Sequence, residues 1–145
     1  MPNWQLDIVN ASHIDRAWRD GASQLSLACE KSAGECDTGQ LKMRLIRGEL
    51  TLVRATDGEK TGWAAVEVIV YPNFRALHVY AIYAPGATGV DVFNLLKDYA
   101  KGLGASCVQG ACDDAGSRLW EQKHGFKSVY RMMRYELWAA ADHKQ

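Results

Sequence analysis

The sequence has no surplus of either charge: 17 lysines and arginines balance 17 aspartates and glutamates. Nucleic acids and anionic membranes both select a basic surface, so neither is expected as the main partner. A neutral chain also repels its own copies weakly, which suits assembly with other protein chains. Cysteine is scarce. Cys29, Cys36, Cys107 and Cys112 form no C-x-x-C pair, and no histidine spacing completes a zinc site, so no metal is expected. They read as free thiols of a reducing cytoplasm, acting as small core hydrophobes. No run approaches the roughly 18 apolar residues of a membrane span. The opening Met1-Pro2-Asn3-Trp4 lacks the basic-then-apolar order of a signal segment. Also missing are a nucleophile elbow with a Ser-His-Asp pattern and a Walker phosphate loop.

What the sequence does contain is ordinary globular material. Of its 145 residues 48% are hydrophobic and 23% charged, enough to bury one core without staples. With no repeat, low-complexity tract or useful linker, one domain over 1–138 with a soluble tail over 139–145 is expected.

Gln5 to Val9 alternates as a first strand. Ser12 with Asp15 forms a capping-box pattern, and Ile14, Trp18, Ala22, Leu25 and Cys29 recur at the spacing of one amphipathic helix ended by Gly34. Thr38 reads as the N-cap of a short helix carrying Leu41, Leu45 and Ile46. Three strands follow as a meander: Glu49–Ala55, Trp63–Tyr71 and Arg75–Tyr83, with turns at Asp57-Gly58 and Pro72-Asn73. In the second of these, Ala64, Val66, Val68 and Val70 share one face, and Trp63, Ala65, Glu67, Ile69 and Tyr71 the other. Phe93, Leu96, Ala100 and Leu103 mark another helix face. Ser106–Ala111 is a short strand, Asp113 or Asp114 caps a helix bearing Leu119 and Trp120, and Phe126–Trp138 reads as a final strand. The expected class is a single α/β domain with a mixed, mostly antiparallel sheet and helices on both faces, in the order β-αα-βββ-α-β-α-β.

The five tryptophans, Trp4, Trp18, Trp63, Trp120 and Trp138, fall at core-like positions, and Arg131 and Arg134 read as solvated. Glu67 and His78 sit on neighbouring strands, where they form either a base pair of groups for proton transfer or a polar cross-strand pair. Tyr130 and Tyr135 could supply an acid from the last strand, although aromatic strand residues usually pack.

Asp114-Ala115-Gly116-Ser117, then Trp120, then Lys123-His124-Gly125-Phe126 resemble the Asn-x-x-Ala … Lys-x-Gly-Phe pattern of the Gcn5-related N-acetyltransferase (GNAT) superfamily. Val129 to Leu137 resembles a closing strand of that family. The resemblance extends to the whole element order and, in residue detail, to Pro85–Leu137. It implies transfer of an acetyl group from acetyl-CoA to an amine, with Glu67, His78 and Tyr130 as the catalytic candidates. It also implies that Gly86, Ala87, Thr88, Gly89 and Val90 hold the CoA pyrophosphate, whose oxygens take N–H groups at a helix N-terminus.

The family loop reads Arg/Gln-x-x-Gly-x-Gly/Ala before a leucine pair. With Leu95-Leu96 as anchor, Ala87 stands at the Arg/Gln position, Val90 and Val92 at the two small positions, and Asp91 between them. Branched side chains obstruct an anion, and Asp91 repels one: about 0.7 kcal/mol at 6 Å in water, near 3 kcal/mol at an effective dielectric of 20. Glu121 stands where the family carries a tyrosine acid. An eroded loop of this kind is similar to that of small GNAT-like bacteriophage proteins, some of them virion components. Two readings follow: an acetyltransferase with an atypical loop, or a non-catalytic structural or binding protein (a pseudoenzyme). The location implied is cytoplasm, or host cytoplasm and virion for a phage-encoded chain.

Overall fold

The computed structural model describes residues 3–138. The expected tail over 139–145 lies outside them. A five-stranded sheet runs β1 (Gln5–Val9), β2 (Thr51–Thr56), β3 (Thr61–Val70), β4 (Arg75–Tyr83) and β5 (Cys107–Gly110), in spatial order β1-β2-β3-β4-β5. The first three pairings are antiparallel, and β4 pairs β5 in parallel. Alternation along β2 and β3 divides the core into two layers, one on each side of the sheet.

On one side, Leu52, Trp63, Ala65 and Ala81 pack under α1 (Ile14–Asp20), α2 (Ser26–Glu30) and α3 (Thr38–Ile46). On the other, Val53, Ala64, Val66, Leu77 and Val79 meet Val92, Phe93, Leu96 and Ala100 of α4 (Gly89–Gly102). The apolar stripe expected of α4 is the buried one, and Leu103 joins its margin. Helix α5 (Asp114–His124) packs beside α4 through Trp120, which meets Phe93 and Phe126 at 5.0 and 4.8 Å. Its other apolar residue, Leu119, faces solvent.

Several local expectations are corrected. The first amphipathic stretch is not one helix. Gly21, at φ +138°, separates α1 from a 3₁₀ turn (Ala22–Leu25) and α2. A Cβ there would lie 3.2 Å from Trp63 Nε1, so the chain bends where only glycine clears the indole. Ser12 does not cap α1: it lies in a 3₁₀ turn (Ala11–His13) capped by Asn10, whose Oδ1 accepts from Ser12 N at 2.9 Å, and α1 follows from His13 without a side-chain cap. Asp37 caps α3 in place of Thr38, in a reciprocal box with Gln40 at 2.8 and 2.9 Å. None of the four cysteines is fully buried; all are free, and Cys112 is exposed.

The largest departure is at the C-terminal end of the described chain. Phe126–Trp138 forms no strand, and Trp138 is exposed rather than core. A strand needs a neighbour to accept its ladder, and β5 has none on its outer edge among the described residues. Arg134 is not free either: it donates to Ala33 O at 2.8 Å.

Packing is tightest where β3 meets the start of α4. A Cβ on Gly62 would sit 2.8 Å from Val92 Cγ2 and 2.9 Å from Tyr83 O. Gly62→Ala is therefore expected to cost about 1–3 kcal/mol through overpacking. Thermal unfolding should read this as a loss of several degrees; an unchanged melt would refute the contact.

Candidate functional site

Two groups of residues gather along β4. The first is where β4 hands over to α4. The chain turns at Gly86, φ +55°, and Thr88 Oγ1 donates to Pro85 O at 2.6 Å. Thr88 is buried and precedes the first helical turn, whose Val92 N–H bonds to Thr88 O at 3.1 Å. The N–H groups of Gly89, Val90 and Asp91 find no acceptor among the described residues. A helix start leaves such donors over, and together with the helix dipole they favour an anion.

The expected obstruction by branched side chains is corrected in part. Val92 is buried between α4 and β3, against Gly62, and is turned away from the loop surface. Val90 is half exposed, as expected of a residue on the outer face of α4. Sequence reasoning missed His124. A Cβ on Gly89 would stand 3.2 Å from His124 Cε1 and 3.3 Å from Nε2, so glycine is what lets the imidazole lie over the helix start.

The Lys-x-Gly-Phe segment explains this placement. Gly125 ends α5 in the left-handed region at φ +74°, and Phe126 N–H returns to Trp120 O at 3.2 Å. His124 then stacks on Phe93 at 4.3 Å, and its carbonyl accepts from Lys97 Nζ at 2.9 Å. Burial, then the charges of Lys97 and Lys123, hold the His124 pKa below its ordinary value. The imidazole is therefore neutral near pH 7. The signal in the sequence was the pairing of Lys97 with Lys123-His124, twenty-six residues apart and adjacent only after α4 and α5 pack.

The second group lies on the opposite sheet face. Glu67 and His78 are direct cross-strand partners, as their neighbouring strands suggested. Between Ala65↔Ala81 and Val66↔Val79 the register shifts, leaving Tyr80 as the extra residue of a bulge. Its ring lies 4.6 Å from that of His78, and the Arg44 guanidinium sits 5.0 Å over it while reaching Glu67 at 3.8 Å. Gln109 of β5 places Nε2 at 3.1 Å from His78 Nδ1 and donates to Tyr71 Oη at 2.9 Å. With the amide in that orientation, Nδ1 accepts and the imidazole proton resides on Nε2.

Burial lowers the His78 pKa, partly opposed by Glu67. The unfolded chain therefore takes up the proton first, so stability from neutral His78 is present above about pH 6.5 and lost progressively below it. Melting temperature should fall between pH 7 and 5, and His78→Gln should flatten that slope. An identical slope in the variant would refute a protonation-sensitive His78.

The third catalytic candidate does not join them. Tyr130 is 82% exposed, beyond the end of α5. Glu121, at the position where the resemblance implied a tyrosine acid, accepts from Ser128 Oγ at 2.8 Å at the helix surface.

The two groups are connected by a parting of strands. β4 and β5 pair only from Ala76↔Cys107 to Val79↔Gly110. Beyond that point β4 continues to Tyr83 with an open edge that leads to the Gly86–Gly89 turn. His78 stands about 17 Å up the strand from Tyr83 at 3.3 Å per residue. A separate cavity of about 370 Å³ between β1 and α1, lined by Asn10, His13, Arg16 and Arg54, shares no residue with either group.

This architecture has solved counterparts. A predicted acetyltransferase with acetyl-CoA from Clostridium acetobutylicum matches at TM-score 0.61 and 16% identity, covering 99% of this chain and 100% of that one. An aminoglycoside N-acetyltransferase in complex with CoA matches at TM-score 0.61 and 15% identity, over 92% and 94% of the two chains. Glucosamine-6-phosphate N-acetyltransferase from Arabidopsis thaliana matches at TM-score 0.55 and 18% identity, over 93% and 99%. The chain has the GNAT fold. No protein-family model and no curated protein matches the sequence, so this likeness is one of structure. The Gly86–Gly89 turn opens onto the end of β4 beyond its pairing with β5, above the Glu67–His78 pair. Among the described residues no helix is long and apolar enough to cross a membrane, and no cluster of histidine, cysteine or acidic residues could hold a metal.

Proposed function

We propose that this protein binds acetyl-CoA and transfers its acetyl group to an amine. The observation that carries the reading is the set of unpaired N–H groups of Gly89, Val90 and Asp91, at the foot of the gap where β4 leaves β5. The pyrophosphate fits there. Backbone donors point at it, Val92 is out of its way, and Lys97 and Lys123 supply positive charge behind His124. Gly86, Ala87, Thr88, Gly89 and Val90 form the cradle, and Ala87 adds no side-chain donor to it. The thioester supplies an activated acetyl carbon and a thiolate leaving group.

The chain's own task is to admit a neutral amine and remove its proton. Glu67 accepts that proton, directly or through water, because His78 Nδ1 is already occupied by Gln109. His78, held neutral by burial, keeps the site free of a second positive charge beside an incoming amine. Arg44 pairs with Glu67 from α3 at 3.8 Å and orients its carboxylate beside His78.

Acetyl-CoA at 100 times its dissociation constant should stabilise the protein by about 2.7 kcal/mol, a rise of several degrees in melting temperature. No shift at millimolar acetyl-CoA would remove the acetyltransferase reading and leave the non-catalytic binding protein.

A further inference from the structure

The cavity between β1 and α1 lies apart from both groups on β4, and several of its polar groups are unsatisfied. Its volume of about 370 Å³ falls within the roughly 300–1,000 Å³ of small-molecule sites. Two elements and the turn between them build it. Along β1 and β2 the cross-strand pairs Val9–Leu52 and Asp7–Arg54 share the face that α1 covers. On α1, Arg16, Ala17 and Asp20 recur at three- and four-residue spacing, and all three line the cavity. Asn10, in the turn that joins β1 to α1, completes the wall.

Four groups there lack partners among the described residues. Arg54 donates to Asp7 Oδ2 through Nη2 at 3.2 Å, while its Nε is buried with no acceptor. A buried donor without an acceptor destabilises the fold until something accepts from it. Asn10 is held by its cap: its Oδ1 accepts from Ser12 N at 2.9 Å and from Ser12 Oγ at 2.8 Å, which leaves the Nδ2 hydrogens unused. Arg16 and Asp20 pair neither with each other nor with any described residue, although four apart on one helix. Arginine preceding aspartate is the weaker order for such a pair.

Charge decides what fits. Arg16 and Arg54 bring two positive charges; with His13 uncharged, Asp20 and the Asp7 paired to Arg54 bring two negative ones. A simple anion would gain the arginines but meet Asp20, and a simple cation would gain Asp20 but meet Arg16. A ligand carrying both signs satisfies both poles. Val9 and Ala17 add an apolar lining that suits a hydrocarbon part.

We propose that this cavity binds a free amino acid with an apolar side chain. Its carboxylate accepts from Arg54 Nε, from Arg16 and from Asn10 Nδ2, since the planar guanidinium fork matches a carboxylate. Its ammonium donates to Asp20, and its side chain lies against Val9 and Ala17. The ligand joins α1 to the β1–β2 edge, and it stabilises the folded chain because the unfolded chain has no such cavity.

Thermal melts with each of the twenty standard amino acids at 10 mM test this. At least one apolar member should raise the melting temperature by about 3 °C or more, as expected for a dissociation constant of about 1 mM. Its amide, which lacks the carboxylate, and its deamino acid, which lacks the ammonium, should each lose the shift. Arg16→Gln and Asp20→Asn alter exposed side chains, so each variant should melt like the parent without ligand. Each should also lose at least about tenfold in affinity for the amino acid, as for a lost charged hydrogen bond. No shift with any of the twenty, an equal shift with the deamino acid, or a shift unchanged in both variants would each overturn the proposal.

Discussion

Trp63→Ala should be the most damaging single substitution, costing roughly 3–5 kcal/mol, and chemical denaturation should show the midpoint falling without a change of slope. Trp63 is only 2% exposed and sits in the layer beneath α1–α3, where Gly21 abuts its indole. Removing the ring does more than subtract apolar area. It leaves a void under Ile14, Leu25 and Leu45, three of the most deeply buried side chains, held by a helix already interrupted at Gly21. The surrounding backbone is committed on both flanks by the β2 and β4 ladders, so collapse into the void is limited. A loss below about 1 kcal/mol would show that the helical layer repacks freely, contrary to a close-packed interior.

Gly89→Asp should abolish the acetyl-CoA stabilisation, the full 2.7 kcal/mol or so expected at 100 times the dissociation constant. The substitution adds a carboxylate at the first position of α4, in the same N–H set proposed for the pyrophosphate. Its new Cβ also meets His124 at 3.2 Å, displacing the imidazole. The folded protein should tolerate it. An acidic residue in a first turn complements the helix dipole, so the ligand-free melt should move by no more than about 1 kcal/mol. Loss of the ligand shift with an unchanged ligand-free melt places the anion at α4. A retained shift would place it elsewhere.

These two expectations draw on different levels of information. Trp63 was legible as core in the sequence alone, because the alternation of β3 assigns it a face, and the residues sharing that face proved to be its neighbours. The stripe on α4 was legible for the same reason. The interruption at Gly21 was not, since Ile14, Trp18, Ala22 and Leu25 keep helical spacing across it. The chain leaves the helix at Gly21, φ +138°, beside the Trp63 indole, a neighbour forty-two residues away. The loop illustrates the same limit. Counting back from Leu95-Leu96 put Val90, Asp91 and Val92 at loop positions and treated all three as facing the ligand. One turn of helix separates their directions by about 100° per residue, and Val92 goes to the core.

The sequence by itself determined the order of strands β1 to β5 with α4 and α5, the two-faced sheet and the placing of Glu67 and His78 on neighbouring strands, because period two, period 3.6 and turn residues are local properties of the chain. Only the tertiary structure decided where β4 and β5 part, that His124 comes to Gly89 with Lys97 on its carbonyl, and that Tyr130 stands apart from the polar group. Each of these depends on what lies across a gap in space. The final segment shows the boundary most plainly. Its residues prescribe a strand, yet a strand exists only when another edge accepts its hydrogen bonds, and within this single chain none of the described edges does.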